Sequence, residues 1–258
     1  MTANGQADWF RNFAPAPQAP VRLVCLPHAG GSAGYYVPVA RALAPRVEVL
    51  AVQYPGRQDR RHEAPFTDVR LLADAVAERL APYADRPLAL FGHSMGATVG
   101  YEVALRLEAA GRGPAHLFVS GRRAPSVVVE ERWHLATDAG LVREVKSLAG
   151  TDTAFLDDPE LLEMVLPVIR ADYRAVETYR ADPAAPRLAC PVTALTGDHD
   201  PKAAVEHVLR WERHTTGGFT AQVFSGGHFY LNDHAADVLR TVAARLEPGV
   251  VGVSRAAG

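Results

Sequence analysis

Lysine is almost missing from this chain: among 27 basic residues only Lys146 and Lys202 are lysine. The arginine excess reads as genomic base composition rather than chemistry. Against 29 acidic residues the formal net charge is -2, so no global basic field exists to draw in nucleic acid or an anionic membrane, and any electrostatic partner site has to be local. Cysteine is just as scarce. Cys25 and Cys190 each lie in or beside an apolar run that reads as a buried strand, which excludes a disulfide scaffold and suits a reducing cytoplasm. Nowhere do about eighteen apolar residues run together, the length a membrane-crossing helix requires. Residues 1–20 lack a basic segment followed by a long apolar one and end in the alternating stretch Ala14 to Pro20, so no targeting signal is expected and the cytoplasm is the expected location. The cysteines are far apart and no H-x-x-x-H with a flanking acid occurs, so neither a metal site nor a cofactor is called for.

What is present is ordinary globular material. With 258 residues, 48% hydrophobic and 22% charged, the chain suits one α/β domain with room for an insertion. Strand-like runs at Val21–Pro27, Arg46–Val52, Pro87–Phe91 and Ala115–Ser120 alternate with helical patterns at Tyr35–Leu43, Val69–Leu80 and Val99–Leu107. Val69, Leu72, Ala73, Val76 and Leu80 make one apolar face, with Thr67 or Asp68 as N-cap. Such alternation predicts a parallel sheet with right-handed crossovers. It breaks over residues 122–186, where helical patterns at Ala139–Leu148, Pro159–Val165 and Val168–Tyr179 occur without a convincing strand. It resumes with a strand at Pro191–Thr196, a helix near Ala203–His214, a strand at Phe219–Phe224 and a final helix from Tyr230 to Leu246. The expected organisation is therefore a core in two parts, 1–121 and 187–258, with 122–186 as a helical lid over the strand ends, where open α/β sheets place their sites. The last ten residues are expected to fray.

The chemistry concentrates where strands end. Gly92-His93-Ser94-Met95-Gly96 follows one strand and opens a helix, the strand–turn–helix context that gives G-x-S-x-G its mechanical meaning. Glycines two before and two after the serine let backbone crowd it, and the helix N-terminus offers free N–H groups to developing negative charge. A serine nucleophile needs an imidazole base oriented by a carboxylate, in this architecture in the order Ser, acid, His. Gly197-Asp198-His199-Asp200 follows the Pro191–Thr196 strand, and Gly226-Gly227-His228 follows the Phe219–Phe224 strand. Ser94, Asp200 and His228 fit that order. Asp198 is the alternative acid, with an Asx-turn role as its competing explanation. His93 is expected to pack with its ring away from the serine Oγ, and His28 has no assigned role beyond packing. An oxyanion hole is expected from the N–H of Met95 and a second from the loop Pro27-His28-Ala29-Gly30-Gly31, at Ala29 or, as the second choice, Gly30.

These segments, with Tyr54-Pro55-Gly56-Arg57 and Leu166-Pro167-Val168-Ile169-Arg170-Ala171-Asp172-Tyr173, resemble the type II thioesterases of polyketide and nonribosomal peptide synthesis, an α/β-hydrolase family. The resemblance runs from about Val21 to Leu246. It implies the α/β-hydrolase fold, a mostly parallel central sheet flanked by helices with a helical lid insertion. It also implies a cofactor-free hydrolase that clears aberrant or mis-primed acyl groups from the phosphopantetheine arm of carrier proteins. The triad carries over onto Ser94, Asp200 and His228, and the oxyanion hole onto Met95 and Ala29. The expected partners are acyl carrier protein domains and their acyl-phosphopantetheine, without nucleic acid or membrane. Arg57, Arg60, Arg61, Arg122 and Arg123 form a candidate landing patch for an acidic carrier, with solvated loop charges as the plain alternative. Rival functions are a carboxylesterase or lipase on the same fold, a non-catalytic carrier-binding protein that keeps the fold, and a cyclising thioesterase. The last is less expected because no carrier domain is fused to this chain.

Overall fold

The structure is a computed structural model that describes residues 9–148 and 154–247. The tail expected to fray lies outside the described residues. Seven strands, β1 (Phe10–Arg11), β2 (Arg22–Leu26), β3 (Glu48–Val52), β4 (Leu88–His93), β5 (His116–Ser120), β6 (Val192–Gly197) and β7 (Phe219–Phe224), form one sheet in the order β1-β3-β2-β4-β5-β6-β7. Every pairing is parallel except that of β1 with β3, where Phe10 faces Val52. The two-residue β1 was not expected from the sequence, since two residues are too short to show alternation.

Along each central strand, neighbouring residues point to opposite faces and both faces are covered. Val24, Leu26, Leu50, Val52, Leu88 and Leu90 enter one core, with helices packed on that face. Leu23, Cys25, Val49, Ala51, Ala89 and Phe91 enter the other. Helices α1 (Val37–Leu43), α2 (Val69–Arg79) and α3 (Met95–Ala109) connect β2 to β3, β3 to β4 and β4 to β5. Asp68, one of two expected caps, closes α2 by accepting from the N–H groups of Arg70 and Leu71.

Between β5 and β6 the described residues contain α4 (Asp138–Leu148) and α5 (Pro159–Thr178), each preceded by a short 3-10 turn, and no strand. The sequence pattern predicts two helices in place of the second, Pro159–Val165 and Val168–Tyr179, parted at Pro167. The structure instead carries a single helix through it. Proline removes one N–H and normally breaks a helix interior, but Pro167 faces solvent, while Leu166, Ile169 and Tyr173 continue one apolar face across it. Those three pack with Leu141 and Leu156 into a small core of their own, against which Ala29 rests. Beyond β6 follow α6 (Val205–Leu209), α7 (Tyr230–Asp233) and α8 (Ala235–Arg245). The single C-terminal helix expected from Tyr230 onward is broken at His234, whose φ of -108° and ψ of 27° leave the helical region.

Candidate active site

β4 delivers the site's sharpest turn. Ser94 has φ 54° and ψ -118°, a conformation that costs a non-glycine residue on the order of 1–3 kcal/mol and persists only where its surroundings enforce it. They do so here. A methyl group on Gly92 would lie 2.1 Å from the carbonyl oxygen of Gly96, and one on Gly96 would lie 2.0 Å from that of Leu26. Both flanking positions are therefore closed to any side chain. The Ser94 N–H donates to the Ser120 carbonyl at 2.8 Å, which ties the turn to the end of β5.

The loops after β6 and β7 meet at the same end of the sheet. A methyl on Gly197 would lie 2.3 Å from the Gly226 carbonyl oxygen, so the two loops touch through backbone. Asp198 buckles them: its Oδ1 accepts the Gly226 N–H at 2.8 Å. That bond, with His199 second, holds its carboxyl below the usual range. The turn role foreseen for Asp198 is thus played across to the histidine loop. Asp200 and His228 are both buried, and His228 Nδ1 sits 3.0 and 2.9 Å from the two oxygens of Asp200. Asp200 Oδ1 also accepts the Lys202 N–H at 2.8 Å, which fixes the carboxylate plane.

Behind His228 lies a layer built on His93 and His28, the two histidines expected to pack. The His93 ring packs on it with centroids 5.0 Å apart, and on Phe229 at 5.1 Å. His93 Nδ1 is 2.9 Å from Ser120 Oγ, which is 2.7 Å from the Tyr230 hydroxyl. His28 packs edge-on against Phe229 and Tyr35 at 5.0 and 4.9 Å. Burial, reinforced by the neighbouring His228, pushes His93 well below the ordinary histidine value. Burial, then His228 and Arg57, pushes His28 down to about 3. Both rings stay neutral at physiological pH.

The loop after β2 is held from the opposite side. Asp172, 2% exposed on α5, accepts the Gly30 N–H on Oδ2 at 2.7 Å and Arg57 Nη2 on Oδ1 at 2.9 Å. Arg57 Nη1 donates to the Gly31 carbonyl at 2.8 Å. Gly30 is thereby occupied, whereas the Ala29 and Met95 N–H groups donate to no protein acceptor among the described residues. Met95 is the first residue of α3, where an N–H has no partner within the helix.

The landing patch expected from five arginines is not an open basic surface. Arg57 is buried in the pair just described. Arg60 is buried against Trp9 and the carboxylate of Glu63, and Arg123 is buried on Glu131. Arg122 is half-buried, and burial, then the charge of Arg123, pushes its guanidinium down to about 9. Arg61 alone of the five is exposed. Loop arginines and landing arginines look alike in sequence; burial and a carboxylate partner, near in the chain for Arg60 and Arg123 and distant for Arg57, are what separates the two.

The described residues contain no cluster of histidine, cysteine and acidic groups able to hold a metal, and no helix of the described residues is long and apolar enough to cross a membrane. The thioesterase domain model matches residues 21–246. Over 242 residues the chain is 50% identical to a probable cadicidin biosynthesis thioesterase of Streptomyces griseus, covering 94% of this chain and 67% of that protein. It is likewise 50% identical over 240 residues to thioesterase PikA5 of Streptomyces venezuelae, covering 92% and 85%. The fold superposes with a TM-score of 0.88 on the type II thioesterase BorB from the borrelidin biosynthetic cluster, at 50% identity, over 95% of this chain and all of that one. Family model, relatives and fold agree: the chain belongs to the thioesterase domain family, among the type II thioesterases of polyketide and nonribosomal peptide biosynthesis.

Proposed function

We propose that this thioesterase works through a serine acyl-enzyme, with Ser94 as nucleophile, His228 as base, Asp200 as the group that orients and steadies His228, and the N–H groups of Met95 and Ala29 as oxyanion hole. The observation that carries the reading is the buried contact of His228 Nδ1 with both oxygens of Asp200. It comes together with the strained elbow at Ser94 and the two unused N–H groups. His228 takes the Ser94 proton as Oγ attacks the thioester carbonyl. The oxyanion forms on Met95 and Ala29, where one such donor is typically worth about 2.7–4 kcal/mol. The thiolate then leaves and takes up the proton held by His228, which makes the imidazole neutral again; with a thiol pKa of about 8.5 the departure itself needs little protonation. Water activated by His228 hydrolyses the acyl-enzyme and restores the serine.

The substrate in this reading is an acyl group on the phosphopantetheine arm of a carrier protein, as the related biosynthetic thioesterases suggest, and residues 122–186 act as the cap that limits its size. The place of the reaction in this reading is the cytoplasm, beside the synthase. The arginine-rich composition and the Streptomyces relatives suit an actinomycete; the rifamycin cluster is the finer assignment we put forward, tested by the synthase genes beside it.

Thioesterase and carboxylesterase differ in leaving group, not in triad. The wild type is expected to hydrolyse an acyl-pantetheine thioester with a kcat/KM at least about tenfold above that for the matching p-nitrophenyl ester, with Ser94→Ala losing at least about 10³-fold on both. Preference for the ester would move the assignment to a general esterase, and full activity of Ser94→Ala would remove the serine mechanism.

A further inference from the structure

The loop that carries Ala29 has little backbone support of its own: within Pro27–Ser32 the turn bond runs from the Gly31 N–H to the His28 carbonyl, at 2.9 Å. Its remaining fixings come from elsewhere in the chain. Asp172 takes the Gly30 N–H, Arg57 takes the Gly31 carbonyl, and one turn before Asp172 on the same helix Ile169 presses on Gly30, where an added methyl would meet its Cγ1 at 3.0 Å. Gly30 has φ +75°, so the bend that presents Ala29 depends on the residue that α5 grips. Arg57 is itself held through its carbonyl, which accepts from Gln53 Nε2 at 3.1 Å, while Gln53 Oε1 accepts the Ala33 N–H at 3.0 Å.

We infer that Asp172 is a positioning residue for the oxyanion hole: from α5 it aims the Ala29 N–H and keeps Gly30 out of the hole, so that the hole is complete only while the helix is seated. The inference rests on the serine acyl-enzyme reading and deepens it. Its physical core is that Asp172 satisfies two donors at once in a buried place. Lifting α5 would strip partners from the Gly30 N–H and the Arg57 guanidinium together, and uncompensated buried groups of that kind are strongly unfavourable. A cap movement that admits substrate must therefore either pivot away from Asp172 or disassemble the hole until it closes again. Turnover is then confined to acyl groups that fit beneath the seated helix.

The test compares wild type with Asp172→Asn, in which an amide N–H must face one of two donors. A second variant, Arg57→Met with Asp172→Leu, removes the buried charges together, so that a folding failure caused by an orphaned guanidinium is avoided. For each, kcat and KM are measured on a short acyl-pantetheine thioester, together with the Ki of a trifluoromethyl ketone analogue, whose adduct with Ser94 carries the oxyanion, and the melting temperature. We expect kcat to fall about 10- to 100-fold, short of the loss of a whole donor. Ki should rise by the same factor, with KM within about threefold. Folded variants with wild-type kcat and Ki would reduce Asp172 to a structural pair. A lower kcat with unchanged Ki would also overturn the inference, because the defect would then lie outside the hole. Ser94→Ala in the same assay separates the two levels: its retaining activity defeats the serine reading, whatever Asp172 does.

Discussion

At Gly96 an added methyl would lie 2.0 Å from the Leu26 carbonyl, whereas at Gly111 nothing stands within 4 Å and only the positive φ of 68° resists a side chain. Gly96→Ala must therefore push α3 away from β2 and take the Met95 N–H with it. It is expected to destabilise the fold by about 1–3 kcal/mol or more and to reduce turnover at least tenfold; Gly111→Ala should cost about 1 kcal/mol and leave turnover intact. Urea denaturation beside a thioester assay checks the pair, and equal behaviour of the two variants would contradict the close-approach explanation. The same residues explain what sequence could reveal. Gly92, Ser94 and Gly96 declare themselves because cause and effect lie within five positions. Asp172 does not: it is one of 29 acidic residues, and its partners Gly30 and Arg57 are 142 and 115 positions away.

Among the elements, those with a strong period were readable and those shaped by their neighbours were not. The strands β2 to β6 stand where apolar runs end in Gly, Pro or polar turns, because a strand buried on both faces is largely apolar, while the mostly exposed edge strand β7 is marked by its apolar ends and the glycine loops on either side. β1 was not readable, because its pairing with β3 is a tertiary event. At Pro167 the local rule for proline was outweighed by an apolar face that continues from Leu166 through Ile169 to Tyr173. At His234 two helices stand where the pattern predicts one. The histidines divided the same way. His228 was identifiable from the Gly-Gly loop before it, while the packing of His93 behind His228 comes from β5 and α7, through Ser120 and Tyr230.

For the molecule as a whole, buried neutral histidines set a pH limit. His28 is pushed down to about 3 and His116, bonded to Thr193, to about 4, with His93 lowered as well, all by burial first. Their unfolded value is about 6.5, so below that pH the unfolded chain takes up protons the folded one refuses, and stability falls as pH falls. Each group contributes up to about 1.4 kcal/mol per pH unit. Depressed carboxylates such as Glu48 and Glu131 add losses in the same direction only near and below about pH 4. The urea midpoint is expected to drop steadily from pH 7 to pH 5, and a flat or rising profile would mean that these rings are hydrated or paired in solution. A carrier protein loaded with a short acyl group is incubated with wild type or Ser94→Ala and weighed intact by mass spectrometry. The acyl mass should disappear from the carrier with wild type and persist with the variant. An acyl group that stays on the carrier in the presence of wild type, while simple esters are cleaved, would contradict the proposed function.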